Sequence, residues 1–203
     1  MAGSSTAEKG GPPTPAFFFD VASPEAYLSA ERVLALMPVP CEWVPVRADG
    51  LPAPERWDAF RCAEERDIAL ARVERAAAAR GLQPLRWPEP FPFDSTLVMR
   101  AATYAKGLGK TVAYALAAFR QAFAGGRSLE DADGVVLAAA ACEMHPAAVL
   151  KAIELRSVAD ALDAATDAAA QRGVRDVPAV WTPSGGVFHG DDELERAAEA
   201  LAR

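Results

Sequence analysis

Hydrophobic residues recur along this chain in two periods, and the change between them divides the sequence. Near the start the apolar run Phe17-Phe18-Phe19 is cut off by Asp20 and hands over to Val21-Ala22-Ser23-Pro24-Glu25-Ala26-Tyr27. A short aromatic run bounded by a turn signal predicts a buried strand. Ser23 followed by Pro24 predicts an N-cap and the first residue of a helix. Over residues 24–37, Tyr27, Ala30 and Leu34 lie at i, i+3 and i+7, one apolar stripe, and Met37-Pro38-Val39-Pro40 ends it. Cys41-Glu42-Trp43-Val44-Pro45-Val46 alternates enough to be a second strand, with Pro45 confined to an edge or to the strand's end. The opening is therefore a β-α-β unit, expected to be parallel and right-handed.

From residue 54 to 172 the strand signals nearly vanish. A helix is predicted over residues 55–80, ending at Gly81, with Trp57, Phe60, Ile68 and Val73 on or near one face. Residues 82–93 hold too many prolines for a helix and read as an ordered loop. Asp94 or Ser95 caps the next helix, whose Leu97, Ala101, Tyr104 and Leu108 keep a helical period. Val112, Leu116, Phe119 and Phe123 define a further one before Gly125-Gly126. Ser128 and Ser157 each open an S-x-x-D capping box, the first before an apolar helix ending near Cys142, the second before a helix stopped by Gly173. His145-Pro146 starts a short helix between them.

The closing segment returns to a period of two. Val177-Pro178-Ala179-Val180-Trp181 and Val187-Phe188-His189 flank Thr182-Pro183-Ser184-Gly185-Gly186, a hairpin. Asp191-Asp192-Glu193 then opens a terminal helix with Leu194, Ala197, Ala198 and Leu201 inward. The expected class is α/β: a small mixed sheet with helices on its faces, built from residues 16–53 and 173–203, with an all-helical segment over 54–172 inserted between its halves. Residues 1–15 read as a disordered tail.

Composition narrows the function. Of the 203 residues, 51% are hydrophobic, enough for a sizeable core, and the net charge of −7 argues against a nucleic-acid partner. No apolar run approaches the ~20 residues of a membrane helix, and the start lacks the apolar stretch of a secretory signal, so a cytoplasmic protein is expected. Cys41, Cys62 and Cys142 are far apart, without C-x-x-C or metal-ligand spacing, and read as buried small hydrophobes. His145 and His189 read as structural, and no metal site is expected.

Ser23 is the leading candidate for chemistry. A strand feeding straight into a helix places backbone N–H groups and the helix dipole where negative charge, including a thiolate, is favoured. The plain alternative is that Ser23 only caps the helix. Asp191 and Asp192 are either ligands or ordinary helix-start acids.

Three segments resemble a known family, the DsbA-like branch of the thioredoxin superfamily, and within it the 2-hydroxychromene-2-carboxylate isomerases and kappa-class glutathione transferases. Phe18-Phe19-Asp20-Val21-Ala22-Ser23-Pro24-Glu25-Ala26-Tyr27 is similar to the family's Y/F-F-D-x-x-S-P-Y-S/A-Y, with Ser23 where redox relatives have Cys and Glu25 in place of an aromatic. Trp87-Pro88 through Asp94-Ser95 to Met99-Arg100-Ala101 resembles the family's loop and following helix. Gly173-Val174-Arg175-Asp176-Val177-Pro178-Ala179-Val180 and Phe188-His189-Gly190-Asp191-Asp192-Glu193-Leu194 resemble G-V-F-G-V-P-T-F and F-W-G-Q-D-R-L.

The resemblance implies a thioredoxin-like mixed sheet with an inserted helical domain and a glutathione-dependent isomerase acting on an aromatic-degradation intermediate. Ser23 would hold the sulfur of glutathione, or of another low-molecular-weight thiol, as thiolate. Val177 would pair its backbone with the cysteinyl portion across a cis bond to Pro178, and Asp192, with Asp191 beside it, would meet the γ-glutamyl ammonium. Arg47, Arg56 or Arg61 would serve a substrate carboxylate. Relatives are commonly homodimers. A kappa-type transferase, or a non-catalytic DsbA-like module binding a peptide or another thiol, stays open as an alternative. Dithiol redox chemistry needs a resolving cysteine that Ser23 and Ala26 do not provide.

Overall fold

The computed structural model describes residues 13–203, so most of the tail expected over residues 1–15 lies outside the described residues. Strand β1 (Ala16–Phe19) feeds helix α1 (Pro24–Leu36), and β2 (Glu42–Pro45) returns parallel to β1, pairing Phe17 with Trp43 and Phe19 with Pro45. Strands β3 (Ala179–Trp181) and β4 (Val187–His189) form an antiparallel hairpin that joins β1 through β3, giving the order β2-β1-β3-β4. Pro45 thus sits both on an edge strand and at its last position, where the missing N–H costs no interior ladder bond.

Between β2 and β3 lie helices α2 (Ala63–Ala79), α3 (Thr96–Gly107), α4 (Thr111–Phe119), α5 (Ala132–Ala140), α6 (Pro146–Glu154) and α7 (Arg156–Gln171), and α8 (Leu194–Leu201) closes the chain after a short 3-10 turn, Asp191–Glu193. The α4 helix continues into a π-helical turn, Arg120–Ala124.

The period-two signal of β1 sorts its aromatics between the two faces of the sheet. Phe17 and Phe19 stack with each other, meet Trp43 edge-on and, through Phe19, reach Phe119 of α4. Phe18 points the other way, into a core with Val44, Val46, Ala169 and Val174. All three phenylalanines are buried, each contributing about 1.5–3 kcal/mol of burial.

Several local expectations need correction. No helix begins at Glu55: residues 55–62 are irregular, α2 starts only at Ala63, and its inward face is Val73 and Ala77 while Ile68 is exposed. The reason is tertiary. Trp57 leaves the helical path to pack against Phe60, Trp87 and Phe91. Leu108 is exposed because it caps α3 rather than belonging to its buried stripe. Asp131, not Ser128, caps α5, accepting from Gly134 N at 2.7 Å, while Ser128 Oγ accepts from Glu130 N at 3.2 Å. Leu155 is the N-cap of α7, since α6 and α7 abut with one residue between them and leave Ser157 inside the first turn. Cys62 is exposed at the start of α2 and Cys41 is half-buried; only Cys142 is the buried small hydrophobe expected of all three.

Candidate functional site

After β1 the chain turns at Asp20 and enters α1 at Ser23, with Pro24 supplying the fixed φ of a first helical residue. Ser23 Oγ accepts from Ala26 N at 3.2 Å, so the serine is the N-cap the sequence suggests. Its hydroxyl also donates, across the chain, to the carbonyl of Val177 at 3.5 Å. The Val177–Pro178 bond is cis, and the Pro178 carbonyl accepts from Gly190 N at 2.8 Å. Ser23, Val177 and Pro178 therefore meet at one junction, although 154 residues separate Ser23 from Val177.

That junction borders a cleft of about 510 Å3 whose lining includes Asp20, Ser23, Arg47, Glu55, Asp176 and Val177, closed on one side by Trp57 and Phe93. A shallower hollow of about 480 Å3 lies over Arg61, Cys62 and Ile68 at the start of α2. Of the three arginines considered for a substrate carboxylate, Arg47 and Arg56 line the main cleft, whereas Arg61 lies at this second hollow, paired with Glu65. Arg47 donates to Thr96 Oγ1 at 2.6 Å and to Asp49 Oδ1 at 2.9 Å, which fixes the guanidinium at the cleft wall.

Four carboxyl groups gather on the Ser23 side, and three of them, Asp20, Asp176 and Glu55, carry no role in the site on the sequence alone. Asp20 is buried and accepts from Ala22 N and Ala48 N, each at 2.9 Å, and from Ser95 Oγ at 3.0 Å. Burial pushes its carboxyl above the ordinary aspartate range, against the pull of those hydrogen bonds. Asp176 accepts from Val177 N at 2.7 Å and from Glu55 N at 2.9 Å; burial, with Glu25 and Asp20 nearby, raises it to about 6. Glu55 is raised to about 7, first by burial and then by Glu25 and Asp176, with Arg72 acting in the opposite sense. Glu25 is itself held by Arg72 Nη1 at 2.7 Å, while Arg72 Nη2 reaches Glu55 at 3.0 Å. The acid beside Ser23 thus has a counter-charge, which it shares with Glu55. Asp20 alone left a trace in the sequence, as the single acid ending an apolar run; Glu55 and Asp176 converge only in three dimensions.

The two acids before α8 lie elsewhere. Asp191 is buried, bound by Arg32 at 3.0 Å, by Arg80 and by Ser29 Oγ at 3.3 Å. Asp192 has 94% of its side chain exposed and meets Arg80 at 3.0 Å. Neither belongs to the lining of the Ser23 cleft. His189 Nε2 accepts from Arg175 N at 2.9 Å, and burial lowers its pKa, so it serves the β4 edge as a neutral acceptor. Among the described residues no cluster of His, Cys, Asp and Glu has the form of a metal site, and no helix is long and apolar enough to cross a membrane.

No curated protein sequence matches the chain. Among solved structures, a 2-hydroxychromene-2-carboxylate isomerase superposes with a TM-score of 0.82 at 19% identity, covering 94% of this chain and 95% of its own. A protein described as a probable DsbA oxidoreductase from Streptomyces coelicolor does so with a TM-score of 0.74 at 23% identity, covering 93% and 88%. At these identities the likeness is one of fold. A model of the DSBA-like thioredoxin domain matches residues 16–202, and with the cis-proline hairpin beside a serine-capped α1 and a helical segment between the sheet's two halves, the chain belongs to the DsbA-like thioredoxin domain family.

Proposed function

We propose that the protein is a thiol-dependent isomerase of the 2-hydroxychromene-2-carboxylate isomerase type, with glutathione or another low-molecular-weight thiol as cofactor. The observation that carries this reading is Ser23: its Oγ stands at the N-terminus of α1, on the cleft, and within 3.5 Å of the carbonyl preceding a cis proline. A hydroxyl donor and a helix N-terminus both stabilise a thiolate. The thiolate adds to an unsaturated carbon of the substrate, the displaced electron pair moves to a conjugated carbonyl oxygen, a bond becomes free to rotate, and elimination of the thiol restores the double bond. Arg47 and Arg56, on the cleft wall, are the partners open to a substrate carboxylate, which has to compete with Asp49 for the first and with both oxygens of Asp58 for the second. A cytoplasmic homodimer acting on a small aromatic-derived acid goes with this reading.

A second reading, a thiol- or peptide-binding protein of different specificity, is favoured by the acids before α8. Arg32 and Arg80 already neutralise Asp191, and Arg80 also contacts Asp192, so an incoming ammonium has to displace a guanidinium.

Isothermal titration with glutathione separates the two. Wild type is expected to bind, and Ser23→Ala to weaken binding about tenfold or more, because a hydrogen bond to a charged partner is worth about 1.5–3 kcal/mol. Loss of the cap lowers stability by about 1 kcal/mol, so the titration is run well below the variant's melting point. Absence of wild-type binding up to the millimolar range sinks the glutathione reading.

A further inference from the structure

Glu55 and Asp176 take no part in the thiol-addition steps proposed above, yet both line the cleft that Ser23 lines. They are joined directly, since Glu55 N donates to Asp176 Oδ2 at 2.9 Å while the other oxygen of Asp176 accepts from Val177 N, the residue whose carbonyl meets Ser23. Glu25 comes from α1, Arg72 from α2, Asp176 from the loop before β3 and Asp20 from the end of β1; the exposed Arg56–Asp58 pair neutralises itself, and Arg47, with Asp49 and Asp94 beside it, lines the same cleft. Arg72 is shared between Glu25 and Glu55, so one guanidinium serves two carboxylates and a third stands beside them. Repulsion that one guanidinium does not offset disfavours full ionisation of such an array.

We propose that Glu55, coupled to Asp176, is the proton donor and acceptor of the cleft. The assignment rests on the thiol-addition reading for its place in the cycle. When the thiolate forms its bond to carbon, the electron pair displaced from the double bond arrives on the carbonyl oxygen. The Glu55 carboxyl gives that oxygen its proton and becomes a carboxylate. On elimination the carboxylate takes the proton back as the carbon–sulfur bond breaks, so protons and electrons balance over the cycle. A carboxyl raised to about 7 suits this exchange, because a general acid works best when its pKa lies near the working pH, and a third of the Glu55 side chain remains open to water. Asp176, raised to about 6, is its positioning and coupling partner.

The test has two arms on the full chain. In the first, carbon-13 NMR follows the Glu and Asp carboxyl signals with pH, the Glu55 signal being identified by its loss in Glu55→Gln. The expected midpoint is close to 7, shifting downward in Asp176→Asn; a midpoint in the ordinary glutamate range overturns the proposal whatever the thiol does. In the second arm, glutathione addition to benzylideneacetone, an α,β-unsaturated ketone, is followed from pH 5 to 9. Glu55→Gln is expected to slow turnover by about a hundredfold, within the 10²–10⁴ typical of a positioned acid, with glutathione affinity unchanged within about twofold. Glu55→Ala is expected to regain rate with added acetate. Turnover and pH profile of Glu55→Gln equal to those of wild type overturn the proposal while leaving the thiol reading standing. A raised Glu55 midpoint without glutathione binding removes the glutathione reading and supports the proton site.

Discussion

Replacing Asp20 by alanine is expected to destabilise the fold by about 3 kcal/mol, as buried donors lose a charged acceptor. Its carboxylate gathers three donors from three parts of the chain: Ala22 N in the turn before α1, Ala48 N after β2, and Ser95 Oγ at the start of α3. Their separate losses sum to more than this. The difference is the cost of keeping a carboxylate away from water, which alanine relieves and which shows in the upward shift of its pKa. Asparagine keeps one oxygen for some of these donors but turns an amide nitrogen toward another, so a loss of about 1–2 kcal/mol is expected. Urea denaturation at neutral pH measures both. A loss below 1 kcal/mol for Asp20→Ala would mean that the loops around the cleft are held by packing alone.

The same residue gives a pH signature of defined sign. Folding raises the Asp20 pKa above the ordinary 3.8, so between that value and the folded one the native state binds more protons than the unfolded state. The part of its contribution that is linked to protonation is then full below 3.8 and is lost as pH rises through the folded pKa, while the hydrogen bonds from Ala22, Ala48 and Ser95 remain. Plotted as the difference between wild type and Asp20→Asn, which cannot titrate there, stability is expected to fall with rising pH across that window. The consequence reaches the site, because the Asp20 carbonyl accepts from Ser23 N at 3.1 Å and the knot that Asp20 ties fixes where the serine stands.

Wherever local pattern and tertiary packing agree, the fold is legible in the chain itself. Phe17-Phe18-Phe19 and Ser23-Pro24 announce β1 and the start of α1, and Gly185-Gly186 between two apolar runs announces the β3–β4 hairpin. Failure comes where packing overrides pattern. Glu55 to Cys62 contains nothing that forbids a helix, and only the aromatic cluster of Trp57, Trp87, Phe91 and Phe123 draws it out of one. That same excursion places the Glu55 carboxyl on the cleft and its backbone N–H on Asp176, so the missed segment and the missed site groups have one cause. Caps fail for a related reason. Ser95 stands at the predicted position, but its hydroxyl is spent on Asp20, leaving Asp94 to accept from Thr96 N at 2.8 Å.

Asp191 and Asp192 look interchangeable in sequence, yet their alanine variants are expected to differ widely. Asp191 is 4% exposed and is the shared partner of Arg32 and Arg80, which tie α1 and the end of α2 to the turn before α8. Breaking a buried ion pair typically costs about 3–5 kcal/mol, because the remaining charge is left without a partner. Here both guanidiniums keep about a sixth of their surface in water and retain Glu195 and Asp192 as neighbours, so Asp191→Ala is expected near 3 kcal/mol, the low end of that range. Asp192 shares Arg80 from the solvent side, and its loss is expected to change stability by less than about 0.5 kcal/mol. Urea denaturation in the absence of any thiol makes the comparison. Equal and small losses would show that the arginines are loosely held and that Asp191 is free to meet a ligand. A large loss for Asp191 alone makes it the anchor of α8, and leaves Asp192, whose exposed carboxylate meets Arg80 among the described residues, as the acid of the pair that an ammonium can approach without unfolding its surroundings.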